Sequence, residues 1–108
     1  MTKTEIIDGM LDLLNGPEKW CKHILKRVDE NGQASYCLLG ALMHVTNDNP
    51  YVWSHGLDEM VDLFDHLATE KGYQWGPLNR PCVEFNNANE TEYEDLRLFL
   101  KEAKERVA

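Results

Sequence analysis

Tyr36-Cys37-Leu38-Leu39-Gly40-Ala41-Leu42-Met43-His44-Val45 is a ten-residue run with almost no polar face. A segment apolar on every side has to lie in the middle of a fold. The run therefore predicts a central helix over about residues 34–46, with the remaining segments packed against it. It also carries a thiol, an interior glycine and a histidine, so its surroundings govern any reading of function.

The flanking segments read as further helices. Thr2-Lys3-Thr4-Glu5 has capping-box spacing, and Ile6, Ile7, Met10, Leu11, Leu13 and Leu14 recur at helical intervals until Asn15-Gly16, giving a helix over about 3–14. From Lys19 to Val28 the pattern fits a helix or a strand; with Asn31-Gly32 as the turn, the strand reading gives a short β-hairpin near 22–36. Asn49-Pro50-Tyr51-Val52-Trp53 reads as a loop with aromatic anchors, and Ser54 as the cap of a third helix with Leu57, Met60, Val61, Phe64, Leu67 and Ala68 inward. Residues 73–90, with Gly76, Pro77, Pro81 and four asparagines, read as a long irregular loop pinned by Trp75, Leu78, Val83 and Phe85. Thr91-Glu92-Tyr93-Glu94 is a second capping box before a last helix. The expectation is one mainly α domain over 1–108, a small four-helix domain built around the apolar helix at about 34–46 with a long irregular loop at 73–90.

Several function classes are excluded at this level. No stretch is long and apolar enough to span a bilayer, and the N-terminus lacks a basic segment followed by an apolar one, which predicts a cytoplasmic protein with no membrane association. The net charge of −8, from 19 acidic and 11 basic side chains, repels phosphate backbones and disfavours direct nucleic-acid binding. The cations are uneven: Lys19, Lys22, Lys26 and Arg27 fall close together, either as a solvated connector or as a dock for an acidic partner.

Candidate chemistry is sparse. Cys21, Cys37 and Cys82 form an odd set without a CxxC pair, which predicts free thiols. Cys21 and His23, with Cys82 or His44, lack the paired spacing of structural zinc sites, so neither a metal nor another cofactor is expected. Ala34, Cys37, Ala41 and His44 would share one small-residue face of the central helix, with Gly40 beside it marking a close approach by a second helix, the aromatic loop or a ligand. Cys37 near that helix's N-terminus is placed for a lowered pKa, but His44 lies two turns away, about 10.5 Å along the axis, too far to act as its base. Acidic residues line two faces: Glu5, Asp8 and Asp12 on the first helix, and Asp58, Asp62 and Asp65 on the third.

Lys19-Trp20-Cys21, then Tyr36-Cys37-Leu38-Leu39-Gly40-Ala41-Leu42, then Val83-Glu84-Phe85-Asn86-Asn87 before Thr91 resemble the pattern of a family of small, functionally uncharacterised bacterial and phage proteins. That pattern has a Trp-containing opening segment, a CxxGA helix and an Asn-Asp pair before the final helix. The resemblance covers about 17–103 and implies no substrate. Where it has Asn-Asp this chain has Asn86-Asn87, which would count against catalysis if the aspartate were an obligatory acid or base.

The leading expectation is a non-enzymatic protein-binding accessory domain acting on a host protein, the phage or prophage origin being implied by the resemblance. Trp20, Trp53, Trp75 and Phe85, with Asp58, Asp62 and Asp65, are its candidate contact residues. The alternatives are a hydrolase or transferase that uses Cys37, with Asn86 positioning a histidine, and an acidic mimic of nucleic acid.

Overall fold

The computed structural model describes residues 2–46 and 55–108, with side chains in the second stretch described from Leu57 onward. Among these residues there are five α-helices and one two-stranded sheet. Helix α1 spans Lys3–Leu13, and the predicted capping box is present: the Thr2 hydroxyl accepts from the Glu5 amide, and the Thr2 amide donates to the Glu5 carboxylate. A 3₁₀ turn, Pro17–Lys19, follows.

The hairpin forms in its strand version, with β1 at Lys26–Val28 and β2 at Ala34–Tyr36, paired Lys26↔Tyr36, Arg27↔Ser35 and Val28↔Ala34. Its turn is closed by the Asp29 carboxylate, which accepts from the amides of Asn31 and Gln33, and by Gly32 at φ +80°, a conformation that glycine adopts without steric cost.

This pairing changes the central helix. Helix α2 runs Leu38–Thr46, not 34–46, because Ala34–Tyr36 are taken into β2. The backbone therefore switches from strand to helix inside the apolar run, at Cys37. Burial follows the expectation nonetheless, since Tyr36 through Met43 are all buried, while His44 is exposed.

Helix α3 spans His55–Glu70, α4 Pro81–Asn87 and α5 Tyr93–Val107. Helix α4 corrects the reading of 73–90 as one irregular loop. At seven residues it is too short to display a helical period, although Pro81 at its first turn is a recognised start signal. The box at the start of α5 is formed by Glu92 and Asp95, one residue later than predicted. Helix α1 packs against α2 and α5, and α3 against α4. Phe85 stacks on Phe99 at 4.5 Å between centroids, and Phe64 packs on the same ring, so α3, α4 and α5 meet in one aromatic layer. No described helix is long and apolar enough to cross a membrane.

Candidate functional site

The three short segments of the resemblance converge on Asn86 of α4. Its side-chain oxygen accepts from Trp20 Nε1 at 2.7 Å and from the Leu38 amide, the first helical residue of α2, at 3.0 Å. Its side-chain nitrogen donates to the Cys21 carbonyl at 3.2 Å and to Asn87 Oδ1 at 3.0 Å. Asn87 Oδ1 also accepts from the His23 amide at 2.8 Å, and His23 sits at φ +71°. One buried amide thus ties the opening segment, the start of α2 and α4 together. Lys22 adds a further tie, its ammonium donating to the carbonyls of Ala88 and Thr91 beyond α4.

Gly40 is explained by the arm, the stretch from His23 through the hairpin. A Cβ at position 40 would lie 2.7 Å from the Leu25 carbonyl carbon and closer still to its oxygen. That same carbonyl accepts from the Cys37 amide at 3.2 Å. The close approach is therefore by the arm's backbone, not by a second helix. Ala34 lies in β2, so the small-residue face expected on the helix is not continuous.

Between the arm, the start of α2 and α4 lies a cleft of about 360 Å³, lined by His23, Ile24, Leu25, Cys37, Leu38, Leu39, Asn79, Cys82, Val83, Asn86 and Asn87. A second cleft of about 340 Å³ adjoins it through the shared residues Asn79 and Val83, and is otherwise bounded by residues 75–80. Its outer wall is apolar and prominent: Leu78 is 93% and Trp75 68% exposed. The Arg80 guanidinium lies 5.2 Å from the Trp75 ring centre, and is itself fixed by Asp65, which accepts from Arg80 Nε at 2.8 Å and from the Cys82 amide at 3.1 Å. On the arm, Ile24, Leu25 and Val28 are also exposed.

Cys37 caps α2, its sulfur accepting from the Gly40 amide at 3.3 Å. Only 9% of the residue is exposed, and burial pushes its thiol pKa up instead of down. Burial raises the Cys82 thiol much further, with the Asp65 carboxylate adding to the effect. No imidazole among the described residues hydrogen-bonds to Cys37, and both polar atoms of Asn86 are engaged without touching one. His44 instead meets Tyr36, with 3.3 Å between the hydroxyl and Nδ1. No group of three or more His, Cys, Asp or Glu among the described residues is arranged to hold a metal ion.

The predicted contact residues divide sharply. Trp75, Asp58 and Asp62 are exposed. Phe85 is core, stacked in the aromatic layer, and Asp65 is buried against Arg80, which corrects the reading of both as surface contacts and breaks the acidic stripe of α3. Trp20 is half-buried and serves to brace Asn86. Trp53 lies outside the described residues. Leu78 and Trp75, read as pins of the 73–90 loop to the core, stand in solvent instead, while Phe85 is buried. His23, weighed as a metal ligand with Cys21, lines the first cleft beside Asn79, which carries no spacing signal and which only the fold brings there.

The profile of a family of unknown function (DUF6197) matches residues 1–106, so the chain belongs to that family. No curated protein and no solved structure matches it.

Proposed function

We propose that this chain is a non-enzymatic, cytoplasmic protein-binding accessory domain, of phage or prophage origin and acting on a host protein, and that it docks its partner across the two adjoining clefts. One observation carries the reading: large apolar side chains stand exposed in the walls of two adjoining clefts, Ile24 and Leu25 in the first, with Val28 exposed further along the arm, and Trp75 and Leu78 in the second. Exposed apolar surface of this kind around a concavity marks interaction sites, and a rigidly held Trp is a favoured anchor at such contacts. The Arg80 guanidinium, itself paired with Asp65, lies against the exposed Trp75 ring. A cysteine enzyme is less well supported, because the thiol is capped, buried and shifted away from the thiolate. The nucleic-acid mimic loses Asp65 from its acidic track.

The test is site-specific photocrosslinking from a benzophenone amino acid at position 78 in a host cell, with position 98, exposed on α5, as the comparison. The reading expects one dominant protein adduct from position 78, absent from position 98 and lost when Leu25→Asp is added. Adducts of equal diversity from both positions would overturn it.

A further inference from the structure

Resting on the protein-binding reading above, we infer that the docking segment of the partner is an extended polypeptide with apolar anchors flanked by carboxylates. The charge distribution is the first reason. Residues 19–28 hold four cations and no carboxylate in a chain of net charge −8. Of the seven cations elsewhere, five, Lys3, Lys71, Arg80, Lys104 and Arg106, are ion-paired. Among the described residues, none of Lys19, Lys22, Lys26 and Arg27 meets a carboxylate: Lys22 bonds to neutral carbonyls, and Lys26 lies over the Tyr36 ring at 5.6 Å. No Asp or Glu lines the first cleft, and the second has the Glu84 carboxylate beside Gly76 at one edge only. Uncompensated positive charge beside exposed apolar side chains is complementary to an acidic segment with apolar anchors.

The backbone of the arm is the second reason, and it selects a polypeptide. On its far side β2 is already engaged, the Cys21 amide donating to the Tyr36 carbonyl at 3.0 Å. This leaves β1 as the outer strand of the sheet. The Cys37 amide bonds to the Leu25 carbonyl and the Asp29 amide to the Gln33 carbonyl. By antiparallel alternation, the N–H and C=O groups of Lys26 and Val28 then point outward, away from β2. All three β1 residues are exposed, so these groups offer an extended chain two donors and two acceptors. A nucleic acid would meet the cations but has no use for a strand edge or for Ile24, Leu25 and Leu78.

Selection of short random peptides against the whole folded protein, followed by fluorescence anisotropy of the selected sequences, tests this. The expected peptides carry apolar residues flanked by Asp or Glu. Their Kd should rise about tenfold or more between about 50 and about 300 mM NaCl. A similar rise is expected with the exposed double change Lys26→Glu and Arg27→Glu, and Leu78→Asp should remove binding while Leu98→Asp does not. Circular dichroism of each variant verifies that it is folded. Peptides that depend on Leu78 but carry no acidic flanks and ignore the charge reversal would overturn the inference and leave the protein-binding reading standing. Peptide binding indifferent to Leu78→Asp would overturn both. Displacement of the peptides by a single-stranded oligonucleotide, or self-association of the protein abolished by the charge reversal, would each overturn the assignment to an acidic partner polypeptide.

Discussion

Two regions that share Asn87 and His23 obey opposite rules. Around Asn86 the amide's oxygen and nitrogen are both fully engaged, and no buried side-chain polar atom among the described residues lacks a partner. A few residues away, on the arm and at 75–80, large apolar side chains stand in water, and over residues 19–28 four cations meet no carboxylate among the described residues. The first region is what a fold needs in order to tolerate polar groups inside it. The second gives up burial that Leu78 and Trp75 could have supplied, and folding alone does not account for that. The contrast teaches that Trp20, Gly40 and Asn86 serve the scaffold, and that the interaction surface proposed above is built from neighbours without a motif.

The contrast can be broken most directly at Asn86. Asn86→Ala leaves Trp20 Nε1, the Leu38 amide and the Cys21 carbonyl without their partner. A loss of about 3–5 kcal/mol is expected in urea unfolding, from several unsatisfied groups at about 1–3 kcal/mol each. A loss below about 1 kcal/mol would mean that the amide is poised for a ligand and not for the fold. Gly40→Ala should come next, at about 2–3 kcal/mol, because the added methyl meets backbone of the arm and not a side chain that can swing aside. Hydrogen exchange should show the loosening concentrated at the Leu25–Cys37 contact.

The pH dependence follows from the buried thiols. Cys82 and Cys37 both titrate above the ordinary thiol value in the native protein because burial disfavours the thiolate. Their contribution is therefore fully present below the unfolded thiol pKa of about 8.5, and is lost as pH rises from there toward the native values. Unfolding midpoints should fall above about pH 9, with Cys82 alone costing about 1.4 kcal/mol per pH unit. The Cys82→Ala variant should flatten that slope. Native protein at neutral pH should resist iodoacetamide at both sites, with labelling only at the rate of unfolding.

Two smaller effects sharpen the boundary between the regions. Asn87 acts through Oδ1 as an acceptor for His23 and Asn86, a role that a carboxylate can also fill. Asn87→Asp should accordingly change stability by no more than about 0.5 kcal/mol, and the asparagine here then says nothing about catalysis. A cost above about 1.5 kcal/mol would assign the amide nitrogen a task of its own. Leu78→Ser should be the mildest change, within about 0.5 kcal/mol in thermal unfolding, since the side chain is almost wholly exposed. A larger loss would move residues 75–80 from the proposed interaction surface to the scaffold.

Local pattern in the sequence was enough for several elements. The capping box of α1, the inward stripe of α3, the hairpin turn at Asn31-Gly32 and the burial of the run around Gly40 each depend on residues within a few positions of one another. Such signals survive without knowledge of the rest of the chain. Helix α4 was not legible, since seven residues give too little of a period to read. Nor was the split of the apolar run, because Ala34–Tyr36 become strand only by pairing with Lys26–Val28. Tertiary structure alone decided that Asn86 meets Trp20 across 66 positions, that Asp65 and Phe85 turn inward, and that Leu78 and Trp75 turn out. The physical reason is that burial and hydrogen-bond partnership at these positions depend on which distant segment arrives, and no local spacing encodes that arrival.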